Sequence, residues 1–274
     1  MLSVNTNSGA MIALQYLNDT AGQLQSTQNA INTGLKVASA KDDGATFAIA
    51  QTMRGNVAGY QAVTDSLNRG MSSIDVALSA GQSISDLLVE MKQKALSASD
   101  QSLDTASRQA LNEDFKALRD QITTIVNNAV FNNYNLVDGT TTKITALASA
   151  DGTRRITVNS ENMKLSGSIV TVKSTGSIST QAKASTMIAT IQSSLTNVNS
   201  ALARLSSGAK KYSIQAEFVQ KLSDTLSSGI GHLVDADMAV ESAKLQSLQV
   251  KQQLGVQALS IANQAPQVIL SLFR

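Results

Sequence analysis

The stretch Asp235-Ala-Asp237-Met238-Ala239 runs through Leu245-Gln-Ser-Leu248 and Ala262-Asn263-Gln264-Ala265-Pro266-Gln267 to Val268-Ile-Leu-Ser-Leu-Phe-Arg274. From Leu245 onward its only charged side chains are Lys251 and Arg274, while Gln, Ser and Ala abound. An apolar stripe flanked by uncharged amides suits a helix packed against other helices better than one surrounded by water. A lone globular domain has little use for such a tail; a polymer does.

The opposite end has the same character. Ala10, Leu14, Leu17, Ala21, Leu24, Gln28, Ile31 and Leu35 alternate four and three apart, a heptad seam. Asp19 is the only charged side chain before Lys36. A core-facing helix of a local bundle is the plainer reading of this seam. Against it stands the uncharged far face, because a solvated face normally carries Lys and Glu.

Composition narrows the class. With 3% aromatic residues and no Trp, the 274-residue chain lacks the bulky side chains of a compact enzyme core. It fits long helices packed through small and aliphatic residues. A formal charge of +2 spread along the sequence offers no basic patch for nucleic acid. No run approaches the ~20 apolar residues of a membrane span. The absence of cysteine excludes disulfides. Met1-Leu-Ser-Val-Asn-Thr-Asn7 has neither a basic nor an apolar signal region, so no ordinary cleaved signal peptide is expected and any export would take another route.

Between the two ends the period changes twice. Gly34 interrupts the first seam, and Lys41-Asp42-Asp43-Gly44 reads as a turn and a capped helix start. A run from Ile49 through Leu67, Met71, Leu78 and Leu88 to Met91 predicts a helix of about fifty residues, ~75 Å long. Leu111, Phe115, Leu118, Ile122 and Ile125 mark a third helix stopping near Asn127-Asn128. After Gly139 the segments 143–147, 155–158 and 168–172 are short and β-branched, and Asp151-Gly152 between the first two signals a hairpin. Helical order returns in a long three-four seam from Leu195 through Leu202 and Tyr212 to Leu233. The chain should therefore go out along helices, turn through a small β region and return, bringing its ends together.

No active-site constellation emerges. His232 is the only histidine, so neither a His-based triad nor a His-rich metal site can be built. Asp235-Ala-Asp237 and Asp42-Asp43 read as helix caps, since no calcium-loop glycine and distal Glu follow. Gly229-Ile-Gly231 lacks the strand and third glycine of a dinucleotide site, and Lys210-Lys211 reads as a solvated face. No cofactor and no enzymatic activity are expected.

Val4-Asn-Thr-Asn7, Thr33-Gly34-Leu-Lys-Val-Ala-Ser39-Ala40-Lys41-Asp42-Asp43, Phe131-Asn132 with Asn135-Leu136, Asp235-Ala-Asp237-Met238-Ala239, and Ala262-Asn263-Gln264 through Arg274 together resemble bacterial flagellin, the subunit of the flagellar filament. The resemblance implies a mainly α fold: a long helical hairpin or coiled-coil bundle formed by the N- and C-terminal halves, with a small β-hairpin region in the middle. It further implies an inner coiled-coil domain from residues 1–40 and 235–274. A helical rod would comprise 41–138 and 186–234, with its β-hairpin tip at 139–185. That tip has no room for a sizeable insert, so a minimal flagellin with inner and rod domains only is expected.

By the same resemblance the function is mechanical: a secreted structural subunit polymerising into the extracellular filament used for swimming. Leu14, Leu17, Leu24, Ile31 and Leu35 would meet Leu245, Leu248, Leu259, Ile269 and Leu272 of the same or a neighbouring subunit. Expected partners are further copies, sister flagellins, the type III flagellar export apparatus and a chaperone, and the filament cap and hook-junction proteins. Nucleic acid and membrane insertion are not expected. Isolated terminal helices are marginal in water, so the ends should order on assembly.

Ala38, Gly44 and Thr46 depart from the Asn, Ala and Gly more frequent in the family. In Leu88-Val89-Glu90-Met91-Lys92-Gln93-Lys94, Glu90, Lys92 and Lys94 replace two arginines and a leucine of flagellins detected by the animal innate receptor, implying weak activation. The Ser/Thr-rich interval 140–186 is open to two readings, O-glycosylation or bare polar turns. Three alternatives remain: a hook–filament junction protein, a soluble chemoreceptor-like helical signalling domain, and an enzyme. The β-like middle disfavours the second, and the missing catalytic constellation the third.

Overall fold

The structure, a computed structural model, describes the backbone of residues 6–271 and the side chains of residues 6–264. Its elements run α1 (Ser8–Thr33), α2 (Gly44–Ala98), α3 (Thr105–Asn128), β1 (Val130–Phe131), β2 (Tyr134–Asn135), β3 (Lys143–Leu147), β4 (Arg155–Asn159), α4 (Gln181–Val234) and α5 (Met238–Ser271). The fold is mainly helical with small antiparallel strand pairs in the middle of the chain. Two compact units form, residues 56–224 and residues 1–55 with 225–274, and α2 and α4 contribute to both.

In the 56–224 unit, α2 buries an unbroken heptad line: Val63, Leu67, Gly70, Ile74, Ala77, Gly81, Ile84, Leu88, Met91, Ala95 and Ala98. The bulky members bury apolar surface, while the glycines admit a neighbour's side chain. A Cβ at Gly70 would meet Cε2 of Tyr212 at 2.4 Å, and one at Gly81 would meet Cδ2 of Leu202 at 2.7 Å. Tyr212 is fully buried, and its hydroxyl donates toward the Ile144 and Ile156 carbonyl oxygens, 3.2 Å from each. Burial pushes this phenol above its ordinary pKa. The turn between α2 and α3 is closed by Arg108, whose guanidinium donates to the Ala98, Asp100 and Leu103 carbonyls. Asp104 caps α3 by accepting from the Ser107 amide at 2.9 Å.

The middle of the chain differs from expectation in two places. β3 and β4 pair antiparallel around Asp151-Gly152, as the sequence predicts. Segment 168–172, expected as a strand, forms only an isolated bridge between Leu165 and Val170. Its Val170 and Val172 carbonyls accept from the Gly167 and Ser166 amides. Thr171 bonds to α4: its amide donates to Ser194 Oγ at 3.0 Å and its hydroxyl to the Thr190 carbonyl at 3.2 Å. Ile169, Val170 and Val172 are buried. β-branched residues thus mark burial here, not a ladder. Conversely, β1 and β2 form a hairpin that hydrophobic period missed, turned by Asn132 (φ 47°) and Asn133 (φ 67°). Consecutive left-handed residues make the turn that suits a two-residue hairpin, and Asn tolerates it.

In the other unit, α1 ends at Gly34, whose φ of 71° lets its amide bond the Ala30 carbonyl at 2.9 Å. The linkers that follow α1 and α4 are tied to each other. Leu35 and Asp235 form an antiparallel bridge. The Ala236 amide donates to the Gly34 carbonyl at 2.9 Å, and the Lys36 amide to the Val234 carbonyl at 2.8 Å. Lys36 Nζ adds a bond to the His232 carbonyl at 3.1 Å. A small core of Val37, Ala50 and Val234 lies there, flanked by Leu35, Phe47, Ile230 and Leu233.

Candidate subunit interface

Helices α1 and α5 pack antiparallel, since Asn7 Nδ2 donates to the Ala262 carbonyl at 2.7 Å while Leu35 bridges Asp235. Asn7 also caps α1 by accepting from the Ala10 amide at 3.0 Å. Asp237 caps α5 by accepting from the Ala239 and Val240 amides, and Asp43 starts α2 by accepting from the Ala45 and Thr46 amides. The Thr46 hydroxyl, bonded at 2.6 Å, holds the Asp43 carboxyl below its ordinary range. One carboxylate of each pair, Asp43 and Asp237, thus acts as a cap, while Asp42 accepts from the Ala38 and Ser39 amides in the preceding turn.

The seam of the pair is built from Ala10, Ala13, Leu17, Thr20, Leu24, Thr27 and Ile31 on α1, all at least partly buried. On α5 the matching line is Glu241, Leu245, Leu248, Gln252, Gly255, Leu259 and Ala262. Leu17 lies over Gly255, where an added Cβ would meet its Cδ1 at 3.2 Å. Leu248 is 3% exposed and Thr27 1%. Thr27 Oγ1 and Glu241 Oε2 are buried without a hydrogen-bond partner among the described residues.

Of the interface residues the sequence singles out, Leu17, Leu24, Ile31, Leu35, Leu245, Leu248 and Leu259 are wholly or partly buried within the chain. Leu14 is not: it is 47% exposed on the outer face of α1 with Met11, Ile12 and Tyr16. The side chain of Ile269, and Leu272 altogether, lie outside the described residues. α5 carries an outer apolar set that period alone did not select: Val240, Val250, Leu254, Val256 and Ile261, each more than half exposed. The available signal was the scarcity of charge on a helix with more apolar residues than one seam can use. No helix among the described residues is long and apolar enough to cross a membrane.

The second stretch singled out, Leu88 to Lys94, divides differently. Leu88 and Met91 are fully buried in the core, whereas Glu90 is exposed. Lys92 Nζ donates to Gln192 Oε1 at 2.5 Å, and Lys94 pairs with Asp114 at 2.6 Å.

The chain matches the family model of the bacterial flagellin N-terminal helical region over residues 4–142 and that of the C-terminal helical region over residues 188–273. It is 55% identical over 272 residues to flagellin FljK of Caulobacter vibrioides, covering 99% of this chain and 98% of the relative. Flagellin FljM of the same organism is 54% identical with the same coverage. Among solved structures it is similar to one described as a flagellar hook-associated protein of Vibrio parahaemolyticus (TM-score 0.57, 14% identity, 71% of this chain and 100% of that one). At that identity the likeness concerns fold alone, so the distinction from hook-associated proteins rests on the full-length sequence match. The chain belongs to the bacterial flagellin family, as a structural subunit of the motility filament and not an enzyme.

Proposed function

We propose that subunits polymerise into the extracellular filament through the outer apolar faces of α1 and α5. The observation that carries this reading is the two-sidedness of the pair: one apolar face is used within the chain, and a second, with Leu14, Tyr16, Leu254 and Ile261, stands exposed. Exposed apolar surface of this extent marks an interaction site. A helical polymer needs contacts that differ on the two partners and so do not close on themselves. Leu254→Asp and Ile261→Asp test it. Each should leave the monomer's helical circular dichroism intact while abolishing sedimentable filaments in electron micrographs; normal filaments from both variants would overturn it.

Residues 1–40 and 235–274 form the inner coiled-coil domain in this reading, and residues 41–138 and 186–234 the rod, with 139–185 as its tip. Sister flagellins join the same lattice. The unpaired chain reaches the cell exterior through the type III flagellar export apparatus with a chaperone, and meets the cap and hook-junction proteins at the two filament ends. Deleting 235–274 should abolish assembly. At the segment 88–94 Val89, Glu90, Gln93 and the lysines are available to an innate receptor, whereas Leu88 and Met91 face the core. A carboxylate there predicts weak activation of receptor-reporter cells by purified monomer. The exposed hydroxyls of 140–186 are candidates for O-glycosylation, which an intact mass equal to the bare chain would exclude.

A further inference from the structure

Three of the six arginines of the 56–224 unit find acceptors for their guanidinium groups. Arg204 grips Glu161 through two bonds of 2.7 Å, Arg119 pairs with Asp120, and Arg108 closes a turn on three carbonyls. Arg69, Arg154 and Arg155 find none, and Arg69 and Arg155 line the same cleft. It has a volume of about 450 Å³ and lies between α2 and the two hairpins, with Lys143 as a third cation. None of the three side chains makes a hydrogen bond or ion pair among the described residues, and all three are exposed. No acidic residue lines the cleft.

Like charges drawn together without a counter-charge repel one another, so the arrangement gains energy when an anion enters. Guanidinium groups present planar forks of donors that match the oxygens of phosphate and carboxylate groups. Ser66 and Asn132 add neutral polar groups to the wall, and the exposed Tyr134 an aromatic edge. The volume lies in the range of small-molecule sites and exceeds what one ion needs. A concave site of this size favours a compact ligand over a flat protein surface.

We infer that the cleft between α2 and the two hairpins, with Arg69, Lys143 and Arg155 in its wall, is a binding site for a small polyanion bearing phosphate or carboxylate oxygens. Nothing in subunit assembly through α1 and α5 requires it. The site gives the rod segment a capacity to take up such a molecule from its surroundings.

The test uses the full chain as soluble monomer at low ionic strength. Inorganic pyrophosphate and tricarballylate are titrated separately by calorimetry, and amide chemical shifts are followed in parallel. Submillimolar binding of pyrophosphate alone assigns the site to phosphate groups, of tricarballylate alone to carboxylates, and of both to oxyanions generally; each supports the inference. Arg69→Gln and Arg155→Gln should each weaken binding about tenfold, while Lys210→Gln, a cation outside the cleft, should leave it unchanged. Absence of binding by either probe at 10 mM (roughly the limit of weak recognition), or wild-type affinity in both glutamine variants, would overturn it. If a variant fails to fold, the wild-type shifts decide: changes at Gly70 and Tyr134 support the site, and changes confined elsewhere refute it.

Discussion

The ring of Tyr212 occupies the space that Gly70 leaves on α2, with Cε2 2.4 Å from where a Cβ would stand. The glycine is therefore a steric requirement of the core and owes nothing to turn formation. Gly70→Ala should destabilise the monomer by about 1–3 kcal/mol through overpacking. Tyr212→Phe, which keeps the ring and loses the hydroxyl bonds, should cost about 0.5–1.5 kcal/mol. Urea unfolding of the two variants checks the order.

Glu161 is nearly buried, and both of its carboxylate oxygens accept from Arg204, itself well exposed. Removing the arginine strands a buried charge, whereas removing both partners strands none. Arg204→Met should lower stability by about 1–3 kcal/mol, and adding Glu161→Gln should restore part of the loss. Thermal unfolding of the single and double variants reads this directly. A double variant as unstable as Arg204→Met would show that the loss does not come from a stranded charge at Glu161.

Thr27 buries its hydroxyl in the α1–α5 seam without a hydrogen-bond partner among the described residues. Thr27→Val keeps the shape and removes the unsatisfied group, so it should stabilise the pair by about 1 kcal/mol. Leu17→Ala, at the contact over Gly255, should loosen it by roughly 1 kcal/mol. Leu14→Ala should leave the monomer unchanged and weaken only polymerisation. Hydrogen exchange of α1 amides in the monomer, beside filament yield, separates the three.

Asp151 in the β3–β4 turn is held at a pKa of about 2 from an ordinary 3.8, first by the Ser149 hydroxyl and then by Thr153. The folded value is the lower one, so the unfolded chain binds the proton more readily. The turn's contribution is present above about pH 4 and is lost as pH falls toward 2. A carboxyl chemical-shift titration should find the midpoint near 2, and Asp151→Asn should remove that step.

Periodicity located the helices because each buries one continuous line, and that repeat survives any change of partner. It misjudged which residue in each turn lies deepest. On α2 the buried positions are Gly70 and Ala77, not the neighbouring Met71 and Leu78 that hydrophobicity selects. On α4 they are Ser194, Ala201 and Gly208, beside the half-buried Leu195, Leu202 and Ala209. On α1 Ala13 turns inward and Leu14 outward. Closely approaching helices put small residues at the centre of contact and large ones at its margins, a preference that no single-helix pattern contains. The cleft beside Arg69 was illegible for another reason. Its cations come from residues 69, 143 and 155, distant in sequence and brought together by the hairpins.

The ties between Gly34 and Ala236 and between Lys36 and Val234 join two interhelix linkers that a simpler connection would leave independent. Two parallel cables clamped at one point share tension and cannot slide past each other. The segments that follow α1 and α4 are therefore held in one register where they cross, and neither can shift along its axis without breaking both bonds.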